Sequence, residues 1–171
     1  RGQPIKGGVP ICWPWFGADP EHRGRGSHGF TRNLNWNVQK VDFTNDAVSI
    51  RLKLDSNSIS QEVWPFKSEL DLNITVSETL EICLTTSNTG DQPMPVSQAL
   101  HSYFPVGQIN QTSVTGFDNC PYLDSIDNAI EKNQQGDILF SEEVDRIYLR
   151  SPDIQIIEDR SKGRQISIDS A

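Results

Sequence analysis

Apolar and polar residues alternate along AVSIRLKLD (residues 47–55), and that period of two constrains the chain more than any other feature. It recurs in LDLNITV and LEICLTT, which are joined around Ser77-Glu78, and again in NWNVQKVDF and TSVTGF. IQIIED (154–159) and RQISIDS (164–170) form one more pair, with Gly163 supplying the turn. No stretch of 12 or more residues keeps a helical face. Short strands, turn residues and a Thr/Val/Ile-rich composition predict an all-β, antiparallel sandwich or barrel. At 171 residues the expectation is a single domain, 1–171. Two segments do not read as strands: 7–35, dense in Gly, Pro, Trp, Arg and His, and the excursion 116–137. Loops of this kind on a rigid sheet are where sites are usually built.

Composition removes several classes of function. No apolar run approaches the roughly 18 residues of a membrane helix, and the start does not read as a signal peptide, so no membrane partner is expected. The chain opens on Arg1 and stops inside an apparent strand, which sets the expectation of native sequence missing at both ends. Cys12, Cys83 and Cys120 are too few for a disulfide framework, and the odd count fits a reducing, cytoplasmic compartment. Neither CxxC nor HExxH spacing occurs, so no metal is expected. A net charge of −8 argues against nucleic acid. Residues 1–40 nevertheless hold six Lys/Arg against two acidic residues, a local +4. Such a segment is either a solvated basic loop or a seat for a small anion.

Three constellations carry chemistry. In GGVPICWPWFG (7–17), Trp13, Trp15 and Phe16 offer flat apolar faces that suit the C–H faces of a pyranose, or else they build a core. In RGRGSHGFTRN (23–33), Arg32 follows His28 among glycines, and guanidinium forks suit phosphate oxygens. In QALHSYFPVG (98–107), His101 sits between Leu100 and a Tyr-Phe pair, either as a satisfied core histidine or as a proton carrier tuned by its surroundings. Asp145 and Asp124 are candidate carboxylate partners for it.

GGVPICWPWFG, SHGFTRNLNW, SNTGDQPMPVSQALHSYFPVG, GFDNCPYLDSID and EEVDRIYL occur in this order along nearly the whole chain. Together they resemble the D-hexose-6-phosphate mutarotase (glucose-6-phosphate 1-epimerase) branch of the aldose 1-epimerase family. The resemblance implies a galactose-mutarotase-like antiparallel β-supersandwich with an open groove. It implies an isomerase, expected as a monomer, that interconverts the α and β anomers of a hexose 6-phosphate without a cofactor. His101 would be the general acid at the ring oxygen. His28 and Asp145 would bind hydroxyls, Arg32 would hold phosphate, and the aromatics of residues 13–16 (Trp13, Trp15 and Phe16) would line the groove.

Two departures qualify what the resemblance implies. Where the family's first loop begins Arg-Gly-Gly, this chain has Lys6-Gly7-Gly8, which keeps a charge for phosphate but loses the bidentate fork. Arg1, Arg23 and Arg25 remain as further cations. The family's base is a glutamate on a strand beyond the segment of Asp145. No glutamate here has that context, since Glu158 lies too early, so the chain is expected to lack it. A mutarotase of neutral aldoses and a non-catalytic sugar-binding sandwich are the alternative expectations.

Overall fold

The structure is a computed structural model that describes residues 7–55, 57, 59–150 and 152–170. Among the described residues the regular elements are thirteen strands and short 3-10 turns, and the named sheets are antiparallel, as the alternation predicts. No helix among the described residues is long and apolar enough to cross a membrane. The chain divides into two compact units, Arg1–Tyr103 and Phe104–Ala171.

In the first unit β1 (Ile11–Cys12) precedes four long strands: β2 (Asn37–Phe43), β3 (Val48–Asp55), β4 (Ser68–Val76) and β5 (Leu80–Asn88). These four form one sheet in chain order. The alternation places Ile50, Ile74 and Ile82 in one cross-strand row and Leu52, Leu72 and Leu84 in the next. Their neighbours on the other face are polar, with Arg51 paired to Asp71 at 2.7 Å and Lys53 to Glu69 at 2.9 Å. A register shift between Val38 and Lys40 lets β2 follow β3 around a bulge.

The apolar face packs at one end against Ile11, Trp13 and Trp64, and these join Leu54, Leu70 and Leu72 in the core. Trp13 meets Trp64 edge-on at 5.1 Å and Phe30 at 5.9 Å. Each such side chain, taken out of water, contributes about 1.5–3 kcal/mol. Trp13 is 0% exposed, so its ring has no face to offer a sugar. The expectation that it lines a groove is corrected, as it is for Trp15 at 4% exposed: the Trp13 indole is core, clustered with Ile11, Leu54, Trp64, Leu70 and Leu72. The 7–35 segment is also more ordered than its composition suggests. β1 pairs with β6 (Ala99–Leu100), and Trp13 bridges to Gly29.

The second unit holds two sheets. One joins β7 (Thr112–Thr115), β10 (Ile138–Leu139), β12 (Ile154–Asp159) and β13 (Arg164–Asp169) in the order β10-β7-β12-β13. Gly163, at φ 58°, closes the β12–β13 turn in the left-handed region that glycine adopts most readily. The other sheet, in the order β11-β8-β9, pairs β8 (Pro121–Asp124) with β9 (Ile130–Asn133) and β11 (Arg146–Tyr148). Residues 116–137, expected as an irregular excursion, therefore contain a hairpin. Its strands are only four residues long and IEKN is largely polar, so the alternation is too brief to register. Asn128 and Ala129 turn the hairpin at φ 54° and 58°.

Candidate functional site

Three segments of the first unit lie side by side and bring together motifs that are distant in sequence. The 97–103 segment runs along 8–14. Ser97 N–H donates to Pro14 O at 2.9 Å, His101 N–H to Pro10 O at 3.0 Å and Tyr103 N–H to Gly8 O at 3.0 Å. On the opposite side of 8–14, Phe30 N–H donates to Trp13 O at 3.1 Å, next to the Trp13–Gly29 bridge. A Cβ on Gly29 would stand 1.9 Å from Trp13 O, so this approach needs glycine. Thr31, fully buried, adds a hydroxyl donated to Ile11 O at 3.0 Å.

The result is a cluster of rings. His28 and His101 meet edge to face at 5.9 Å. Phe16 packs against His28 at 4.9 Å and His101 at 6.3 Å, and Tyr103 stacks on His101 at 4.8 Å. Phe16 is 46% exposed, so its face remains open. Its backbone N–H is held by Ser97 Oγ at 2.9 Å. The Nδ1 atom of His101 is buried and has no hydrogen-bond partner among the described residues.

His28 is built differently. Its backbone N–H donates to Gly17 O at 2.7 Å, while Gly17 N–H donates to its Nδ1 at 3.1 Å. Burial, with smaller contributions from the charges of Arg32 and His101, pushes its pKa below the ordinary imidazole value. Arg32 is exposed and donates from Nη2 to Ser27 O at 2.8 Å. Burial pushes the nearby Cys12 thiol up, and Arg32 partly offsets this.

Arg23 and Arg25 are not spare cations for phosphate. Arg25 Nη2 lies 2.6 Å from Asp19 Oδ1, with both side chains under one-tenth exposed, and its guanidinium covers Trp15 at 4.5 Å. Arg23 pairs with Glu21 at 3.2 Å. Lys40 pairs with Asp42 at 2.8 Å. Among the described residues of the basic segment, Arg32 is the cation with no carboxylate against it. Lys6 and Arg1 lie outside the described residues.

Asp145 belongs to the second unit, exposed just before β11. Its carbonyl accepts from Ser125 N–H at 2.9 Å. The neighbouring Arg146 turns away to Gln134 Oε1 at 2.7 Å and to the Tyr122 ring at 4.7 Å. Asp124 is tied to Lys132 at 2.9 Å, which holds its carboxyl below the usual range.

The structure thus brings His28, His101 and Phe16 together, with Arg32 close enough to act on His28 through its charge. Sequence reasoning missed Tyr103, Ser97, Gly17 and Asp19. Tyr103 was within reach, because an i, i+2 spacing from His101 in extended chain puts both side chains on one side. Asp19 gave no signal, since its partners depend on how the loop closes.

A family model described as aldose 1-epimerase matches residues 2–171. An Escherichia coli (strain K12) protein named "Putative glucose-6-phosphate 1-epimerase" is 33% identical over 169 residues, covering 98% of this chain and 55% of its own length. A Cenchrus ciliaris protein of the same name is 32% identical over 170 residues, covering 94% and 51%. The chain spans about half the length of the curated relatives it matches. Among solved structures, one titled "a putative mutarotase (YeaD)" from Salmonella typhimurium superposes with a TM-score of 0.88 at 33% identity, over 98% of this chain and 55% of that one. A Synechocystis protein gives 0.84 at 25% identity, over 98% and 61%. The expected fold, an all-β mutarotase-like sandwich, is the one these structures share with it. The chain belongs to the aldose 1-epimerase family.

Proposed function

We propose that this chain supplies the acid and the sugar-holding groups of a hexose-6-phosphate mutarotase, an isomerase with glucose 6-phosphate as its first candidate substrate. The observation that carries this is the His28–His101 pair at 5.9 Å beside the open face of Phe16, with Arg32 uncommitted to any described carboxylate. An aromatic face suits the sugar ring, the imidazoles suit its oxygens, and a guanidinium suits phosphate.

In this reading His101 protonates the ring oxygen while a base takes the proton of the C1 hydroxyl. The C1–O bond to the ring oxygen breaks, leaving the open aldehyde. C1 turns its other face, and the two groups exchange roles as the ring closes. His28 donates to an oxygen of the sugar. Asp145 is a second hydroxyl-binding group, and Lys6 adds charge near the phosphate. The base is a glutamate, as the resemblance to the family implies. No cofactor enters. Free Cys12, Cys83 and Cys120 favour a cytoplasmic setting.

The test is to dissolve crystalline α-glucose 6-phosphate and follow its anomerisation by polarimetry with the purified protein, against glucose under the same conditions. Faster equilibration of the phosphosugar supports the proposal. Equal acceleration of glucose points to neutral aldoses, and binding of sugar phosphate with no acceleration points to a non-catalytic module.

A further inference from the structure

Asp19 lies outside the ring cluster, yet one carboxylate there organises most of the loop between Phe16 and His28. Its oxygens accept from the backbone N–H of Glu21 at 3.1 Å, of Arg23 at 2.9 Å and of Arg25 at 3.2 Å. They also take the Arg25 guanidinium through Nε at 3.2 Å and Nη2 at 2.6 Å. Arg25 in turn donates to Val63 O at 3.0 Å and lies over Trp15, whose indole N–H donates to Gly26 O at 3.1 Å. Asp19 is only 7% exposed. A buried pair of this kind is a poor source of net stability, and its best-attested value is in selecting one arrangement over others.

The arrangement selected is visible at the ends of the loop. Gly17 and His28 close it with two hydrogen bonds of opposite sense, N–H to O at 2.7 Å and N–H to Nδ1 at 3.1 Å. His28 sits at φ 65°, a left-handed conformation that is unfavourable for a side-chain-bearing residue and needs outside support. An Nδ1 that accepts from Gly17 carries no proton, so the imidazole is neutral with its hydrogen on Nε2.

We propose that Asp19 is a positioning residue for His28: it sets the 17–28 loop so that Gly17 N–H meets Nδ1 and leaves Nε2–H as a fixed donor to the substrate. The two histidines then divide the work. His101 exchanges a proton, while His28 can only donate a hydrogen bond. This inference rests on the reading of His28 as a substrate-binding group, but its test needs no substrate.

Nitrogen-15 NMR of the imidazoles at neutral pH, in the unaltered chain and in Asp19→Ala, reads the tautomer directly. The expectation is one Nε2–H tautomer in the unaltered chain and a mixture of tautomers in Asp19→Ala. Asp19→Asn keeps an acceptor oxygen and should fall between the two. It also serves as the test variant if Asp19→Ala loses chemical-shift dispersion. Unchanged His28 nitrogen shifts in a folded Asp19 variant would overturn the proposal, as would an Nδ1–H tautomer in the unaltered chain. In the protein active on glucose 6-phosphate, the same variants should lower kcat/KM by about tenfold to a hundredfold. Inactivity of the unaltered protein would count against the proposed function and leave the tautomer result standing.

Discussion

The rings of His28 and His101 approach at 5.9 Å with their planes 74° apart, and Phe16 touches both. Two imidazolium ions at this distance repel, and burial adds to the cost of charging His28. The pair is therefore asymmetric. In one member the surroundings disfavour the charged form, and the other has a buried Nδ1 free of described partners.

The first consequence is a pH dependence of known sign. The folded pKa of His28 lies below its ordinary value of 6.5. Between those two values the unfolded chain binds a proton that the folded chain does not. Stability is thus fully present above about pH 6.5 and falls as the solution is acidified towards the folded pKa. Denaturant midpoints measured from pH 8 to pH 5 should drop in the unaltered chain and drop less in His28→Gln.

If His101 is the acid of the proposed reaction, its removal should remove the chemistry. His101→Ala is expected to slow anomerisation of glucose 6-phosphate by about 10²–10⁴-fold, the usual contribution of a positioned proton donor. Exchange NMR between the two anomers measures this, and full activity in the variant would rule out His101 as the acid.

Arg32 should matter in proportion to the charge of the substrate. Loss of a charge-assisted contact costs about 1.5–3 kcal/mol, so Arg32→Ala should raise KM for glucose 6-phosphate roughly tenfold to a hundredfold. Rates on glucose should stay unchanged. Steady-state kinetics on both sugars separates these outcomes.

Neighbouring aromatics should behave in opposite ways. Trp13→Ala empties a core position and should cost about 3–5 kcal/mol of stability. Phe16→Ala, at a half-exposed site, should cost less than about 1 kcal/mol and should weaken sugar binding instead. Thermal denaturation paired with calorimetric titration distinguishes them.

Gly29 should tolerate no side chain. An added Cβ would press on Trp13 O, and φ is +66° there, so Gly29→Ala should destabilise by on the order of 3 kcal/mol. It should also loosen the link between the segments that carry Phe16 and His28. Unfolding midpoints together with the dispersion of the His28 resonances measure both effects.

The strands of the first sheet were legible because each is long and has one wet face. A period of two over 8–9 residues, as in β3, β4 and β5, leaves little freedom in which side turns inward. The Gly163 turn was legible for a similarly local reason. By contrast, β8 and β9 are four residues each, and only pairing with a neighbour makes them strands. The ordered motifs named His28, His101 and Phe16, because residue type and local flank survive in one dimension.

What the sequence alone determined, then, was the fold class, the family and three of the rings. Tertiary structure decided the rest, because those properties depend on what lies across space. Trp13 became core while Phe16, three residues on, stayed open, and Arg25 was consumed by Asp19 while Arg32 was left with no carboxylate against it among the described residues. The protonation state of His28 was decided in the same way, by Gly17, a residue eleven positions away whose N–H points at Nδ1 only after the loop has closed.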